Sequence, residues 1–176
     1  MIKYAVHILF LILVGICWTP AEAQFVNLQI RVEPELSAEV QQELDFGTQI
    51  TNSGRSQIGL GDVNMGIFSI RAYYTQNVYL NLTFPDALIH SNPAIDQEIP
   101  MELSISYNNS GLNRPSESTP LPSEGGLVAI HENTTNLTST SDIWKEMYIY
   151  VYGYIDIGNI PNGEYTGDIV LTVDYD

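Results

Sequence analysis

The residues of this chain that could do chemistry are few and poorly placed for it. Beyond the N-terminal segment the histidines are His90 and His131, and neither stands at a His-x-x-x-His or similar ligand spacing. Both are expected as loop or surface residues rather than as catalytic bases. Serines are plentiful, yet no Gly-x-Ser-x-Gly elbow is present to activate one. The sequence holds 21 Asp and Glu residues, so acid pairs arise from abundance alone. Asp156, Asp168 and Asp174 could supply oxygens to a calcium ion, but calcium ligands usually come from loops, and solvated strand positions explain the three better. The sequence is therefore read as carrying no catalytic, cofactor-binding or metal-binding residue. Its strongest binding signal is aromatic. Tyr148, Tyr150, Tyr152 and Tyr154 alternate along one segment, as a row that stacks sugars or packs in a protein interface would. Cross-strand packing of tyrosine on a pleated sheet accounts for the same pattern.

The compartment limits the chemistry further. Met1, Ile2 and Lys3 precede an apolar run from Ala5 to Ile16 interrupted by His7, and Ala21-Glu22-Ala23 follows Pro20. A positive start, a short apolar core and an Ala-x-Ala site make a cleavable secretory signal over residues 1–23, leaving Gln24 first. The run is too short for a membrane span. Cys17 is the sole cysteine, and its bulky predecessor Ile16 fits lipid attachment poorly. Cleavage would leave a chain with no disulfide and no thiol nucleophile, so residues 24–176 must be held by one hydrophobic core. Net charge is −15, and the basic residues after Lys3 are the scattered Arg31, Arg55, Arg71, Arg114 and Lys145. Nucleic acid and anionic membrane surfaces are poor partners for such a chain.

The elements that would position these residues read as strands. Apolar residues alternate at Val26, Leu28, Ile30 and Val32, at Phe68, Ile70 and Ala72, at Val78, Leu80, Leu82 and Phe84, and at Met101, Leu103, Ile105 and Tyr107. From Trp144 to Ile157, Met147, Ile149, Val151, Ile155 and Ile157 fall on one face and the four tyrosines on the other. Pro34 to Glu43 is weakly helical or linker-like, and Asn108 to Gly126 reads as a long exposed loop. Several short strands between Gly, Pro and Asn clusters predict an all-β, Ig-like antiparallel sandwich.

The C-terminal residues are the most regular. After Gly163, the residues Tyr165, Gly167, Ile169, Leu171, Val173 and Tyr175 alternate with polar or smaller ones to the end of the chain. The turn Gly158-Asn159-Ile160-Pro161-Asn162-Gly163 predicts that this terminal strand forms a hairpin with Trp144 to Ile157.

Leu44-Asp45-Phe46-Gly47, a Gly-rich middle, and Pro161 to Gly167 leading into Ile169 to Tyr175 resemble the secreted bacterial β-sandwich family catalogued as domain of unknown function 4402. That family is similar to spore-coat-U-like and archaic chaperone–usher pilins. Gly163 and Tyr175 match the pilin pattern of a glycine fourteen residues from the end and a penultimate tyrosine. The resemblance implies a structural or adhesive subunit of the periplasm or cell surface. Its partners would be copies of itself or related subunits, and a periplasmic chaperone and usher. It also implies a sandwich short of a strand, whose groove a neighbour's extended segment fills. Gln24 to Val32 suits that segment, with Val26, Leu28, Ile30 and Val32 as pocket residues and the stretch to residue 42 as tether. The same segment also reads as the first strand of its own domain. The alternative function is a monomeric extracellular module that binds carbohydrate or protein through the tyrosine row.

Overall fold

The computed structural model describes residues 36–132 and 143–176. The chain divides into two units, Met1–Glu33 and Pro34–Asp176, and the described residues all belong to the second. They form an all-β sandwich of antiparallel strands in two sheets. The larger sheet is 8-stranded. Along its path lie β1 (Ser37–Gln42), β3 (Gly66–Tyr73), β9 (Trp144–Ile157), β6 (Glu98–Asn108), β5 (Ala87–His90) and β10 (Tyr165–Thr166). Beside that path, β2 (Gly54–Ile58) pairs with the end of β9 and β7 (Thr119–Leu121) pairs with β6. The smaller sheet is 3-stranded, in the order β11 (Val170–Tyr175), β4 (Asn77–Thr83) and β8 (Gly125–Ala129). No helix among the described residues is long and apolar enough to cross a membrane.

Alternation decides which face each strand buries. In β4, Val78, Leu80 and Leu82 are buried while Asn77, Tyr79, Asn81 and Thr83 are exposed. These side chains meet Ile70 and Ala72 of β3, Ile105 of β6 and Met147, Ile149 and Val151 of β9 in one core between the sheets. The long strand β9 is the axis of the larger sheet. One of its edges is held by β6 along most of its length, and the other by β3 up to Val151 and by β2 from Gly153 onward. Gly153 sits at that change of partner. A Cβ there would overlap the carbonyl oxygen of Glu102 and lie 2.9 Å from the Cα of Leu103, so the approach of β6 requires glycine.

The expected hairpin between Trp144 to Ile157 and the terminal strand does not form. Both edges of β9 are already taken, and β11 lies in the other sheet beside β4, with Leu171 opposite Leu82 and Val173 opposite Leu80. Nor is the terminal strand continuous from Gly163. Tyr165 and Thr166 pair with His90 and Ile89 in the larger sheet, after which Gly167 to Ile169 carry the chain across to the smaller one. Pro34 to Glu43, read as linker, contains β1, whose exposed Glu39, Val40 and Gln41 gave no alternating apolar signal. Asn108 to Gly126 is likewise not a plain loop. It holds a 3-10 turn at Pro115–Glu117, strand β7 and the first residues of β8.

Candidate functional site

Several strand edges are left unpaired among the described residues. Among the described residues no strand pairs with the second edge of β1 or of β11. Next to β1 and to the segment that leads into β11 lies a groove of about 1080 Å³. Its floor is apolar, formed by Phe68 of β3, Met101 and Ile99 of β6 and Ile155 and Ile157 of β9. Val40 and Gln42 of β1 and the turn after it make one wall, and Ile160 to Ile169 make the other. Leu44 and Phe46 pack against the cores at the groove's end, and the Asp45 carboxylate between them accepts the Gly47 N–H at 2.7 Å. Gly47 takes a positive φ of 66°, which closes that turn and favours glycine.

Exposure differs from strand to strand. Ile169, Leu171, Val173 and Tyr175 point toward the core but are only half-buried, whereas their neighbours on β4 are fully buried. Val40 on β1 is 60% exposed. The Tyr175 hydroxyl faces the Tyr73 backbone across the sandwich; burial raises its pKa and that backbone contact offsets part of the rise.

The wall from Ile160 to Ile169 is latched by His90, which is buried at the end of β5. Its Nδ1 accepts the Asn92 N–H at 2.8 Å, which leaves the ring proton on Nε2, 3.4 Å from the Asn162 carbonyl. Tyr165 meets the imidazole edge-on with ring centroids 4.8 Å apart and donates its hydroxyl to the Pro161 carbonyl at 3.0 Å. Gly163 lies against the same ring so closely that a Cβ would overlap Nε2. Gly167 packs likewise, with a Cβ position 2.9 Å from Pro85 Cγ and 3.2 Å from Leu88 Cδ2. The two glycines of the terminal motif are thus contact points between the groove wall and β5.

The tyrosine row lies on the opposite, outer face of β9 and is not one exposed ladder. Tyr150 is fully buried among Ile58, Met65 and Ile67, flanked by Tyr148 and Tyr152. Its hydroxyl makes no hydrogen bond of normal geometry, and burial pushes its pKa up to about 12 against a small opposing effect of the Arg114 backbone. The segment after β6 is fixed nearby, with Asn108 Nδ2 donating to the Arg114 carbonyl at 3.0 Å and Ser118 Oγ to Ser106 Oγ at 2.9 Å. Tyr148 donates to Glu146 at 3.1 Å; burial first, then that carboxylate, raises its pKa. Tyr154 donates to Glu102, which raises its pKa, and carries the Arg55 guanidinium 3.6 Å above its ring. Arg55 in turn holds Asp156 through two bonds of 3.1 Å, which lowers the carboxyl pKa and raises that of the guanidinium. Three of the four tyrosines are committed to burial or to side-chain partners, and Tyr152 is half-buried.

Other residues singled out in the sequence are dispersed. Asp156 stands on β9 in the larger sheet and Asp174 on β11 in the smaller, so the three aspartates do not gather. His131 lies beyond β8, with Nε2 3.6 Å from the Cβ position of Gly111. Val26, Leu28, Ile30 and Val32 lie outside the described residues. Of the residues that shape the groove, Phe68 and Met101 were read only as strand positions, His90 was expected as a loop or surface histidine but is buried at the end of β5, and Val40 was not singled out. Comparison of the sequence with protein-family models and with curated proteins returns no match.

Proposed function

We propose that this chain is a secreted structural or adhesive subunit of the periplasm or cell surface, pilin-like, that assembles by taking an extended segment of another copy into its open groove. The observation that carries this reading is the half-buried inner face of β11 beside the fully buried face of β4. A strand laid along β11 would satisfy the backbone groups of the edge that no described strand pairs with and cover Leu171 and Val173. Because these side chains are already half-buried, only their remaining exposed area contributes, at about 25 cal/mol per Å². Gln24 to Val32, with apolar residues at every second position, has the pattern such a strand needs. Because donor and groove are different surfaces, the contact is heterologous and extends head to tail into a fibre. The role is structural, without catalysis.

The test uses the chain from Gln24 onward. Its size distribution should show a ladder of heat-resistant species that collapses to monomer when Gln24 to Val32 is deleted. A monomer at all concentrations, whose folding depends on that same segment, would mean that the segment closes its own domain and would remove the assembly reading.

A further inference from the structure

We infer that Arg31 matches the incoming segment to the groove through an acidic rim, an inference that rests on the strand-acceptor reading above. The charged residues lining the groove are Glu43, Asp45, Glu164 and Asp168, and no lysine or arginine lines it among the described residues. All four are exposed, and they stand on both walls, the first two after β1, Glu164 just before β10 and Asp168 between β10 and β11. Asp45 is fixed in place by the Gly47 N–H. Asp168 lies two residues before Val170, where the chain enters the smaller sheet. An extended occupant therefore meets an apolar floor and a uniformly negative border.

Gln24 to Val32 has the complementary character. Its single charged residue is Arg31, the only basic side chain between Lys3 and Arg55. With Val26, Leu28, Ile30 and Val32 turned to the floor, the period of two turns Arg31 the other way, toward the border. Its charge stays solvated there, so insertion avoids the desolvation a buried guanidinium would suffer. A segment bearing an acid at this position would be repelled by the rim of a chain whose net charge is −15. The partner class is thus an extended apolar strand with one outward cation, which a second copy of this chain supplies. Rim charges act mainly on the rate of association and are screened by salt.

The test measures the assembly rate of the chain from Gln24 onward at low and high salt. Arg31→Gln should slow assembly about threefold and Arg31→Glu about tenfold or more at low salt, with both differences shrinking at high salt. Adding Glu164→Lys and Asp168→Lys to Arg31→Glu should restore much of the rate. Unchanged assembly of Arg31→Glu, slowing that ignores salt, or no recovery in the charge-swapped variant would overturn the inference. Leu28→Asp separates the two levels of the argument. If it blocks assembly while Arg31→Glu does not, the charge match falls and the groove reading stands; if Leu28→Asp assembles normally, both fall.

Discussion

Strands β4 and β11 are neighbours in the same sheet, carry the same alternation and are hydrogen-bonded in register, yet they are buried very differently. Leu82 and Leu171 face each other across the pair; Leu82 is 4% exposed and Leu171 is half-buried. The same contrast separates Leu80 from its partner Val173. One difference is the number of flanking strands, since β4 lies between β11 and β8 while β11 has β4 alone among the described residues; edge position by itself does not decide burial, because Val128 of the other edge strand, β8, is 6% exposed. A residue on a sheet's inner face owes its burial to the facing sheet and to the side chains on both adjacent strands. Alternation specifies which face turns inward. It carries no information on how many neighbours complete the cover.

The largest effect that would test this contrast is a matched truncation. Leu82→Ala should cost about 3 kcal/mol in urea unfolding of the monomer, as a fully buried leucine does, and Leu171→Ala about 1 kcal/mol. If the groove is filled on assembly, the cost of Leu171→Ala should rise toward that of Leu82→Ala when unfolding is followed from the assembled form. Equal costs in the monomer would break the comparison, because β11 would then be as fully packed as β4.

How far the sequence discloses the fold follows from the same physics. The limits of β9 and the inward faces of β3, β4 and β6 are legible because a two-residue period survives wherever one face is buried. The sheet that a strand joins is not legible, because inward alternation looks the same from either layer. Leu171 and Val173 fit equally well opposite β9 or opposite β4, and only the occupied edges of β9 decide between them. Strand β1 was hidden because an edge strand can leave Val40 exposed and need not alternate. The burial of Tyr150 was hidden because its cover comes from Ile58, Met65 and Ile67, residues far from it in sequence. Of the candidate site, the terminal motif was visible as residues, but the contacts of Gly163 and Gly167 with β5 depend on the crossing between sheets.

The wall of the groove can be tested next, at Gly163. Alanine there would push a Cβ into the imidazole of His90, which is held by Asn92 and Tyr165 and has little room to yield. Gly163→Ala should destabilise the monomer by about 1–3 kcal/mol, the usual range for overpacking. Combining it with His90→Ala should recover part of the loss, because the smaller side chain makes room for the added methyl. If the double variant is as impaired as the two single losses added together, Gly163 and His90 are not in contact and the wall is held some other way.

A smaller version of the contrast runs along the outer face of β9, from buried Tyr150 to the exposed end at Asp156. Tyr150→Phe removes a hydroxyl that makes no well-formed hydrogen bond, so at neutral pH it should be neutral or stabilising by up to about 1 kcal/mol. At alkaline pH the effect gains a sign. The Tyr150 pKa is raised from 10.0 to about 12, so the unfolded chain releases this proton first. Stability from the protonated phenol is complete below pH 10 and is lost as pH rises toward 12. Tyr150→Phe should flatten that loss, measured as unfolding midpoints across the range alongside tyrosinate absorbance. An alkaline profile unchanged by the substitution would mean that Tyr150 ionises as readily folded as unfolded, and is not the enclosed end of the face.

The smallest effect belongs to the exposed end. Arg55 lowers the pKa of Asp156 chiefly by hydrogen bonding, but both side chains are about half exposed. A depressed carboxyl pKa contributes stability above the ordinary value of 3.8, and that contribution is lost as pH falls through the folded value. Asp156→Asn should therefore lower the unfolding midpoint slightly at neutral pH and leave it equal to the parent once both states are protonated. Added salt should shrink even the neutral difference, because an exposed pair is screened, whereas it should leave the Leu82→Ala loss almost intact. Arg55 also stacks over Tyr154, a contact that does not require Asp156, so Arg55→Gln should cost more than Asp156→Asn. Equal losses from the two would assign the Arg55 contribution to the ion pair alone and leave the stacked ring without energetic weight.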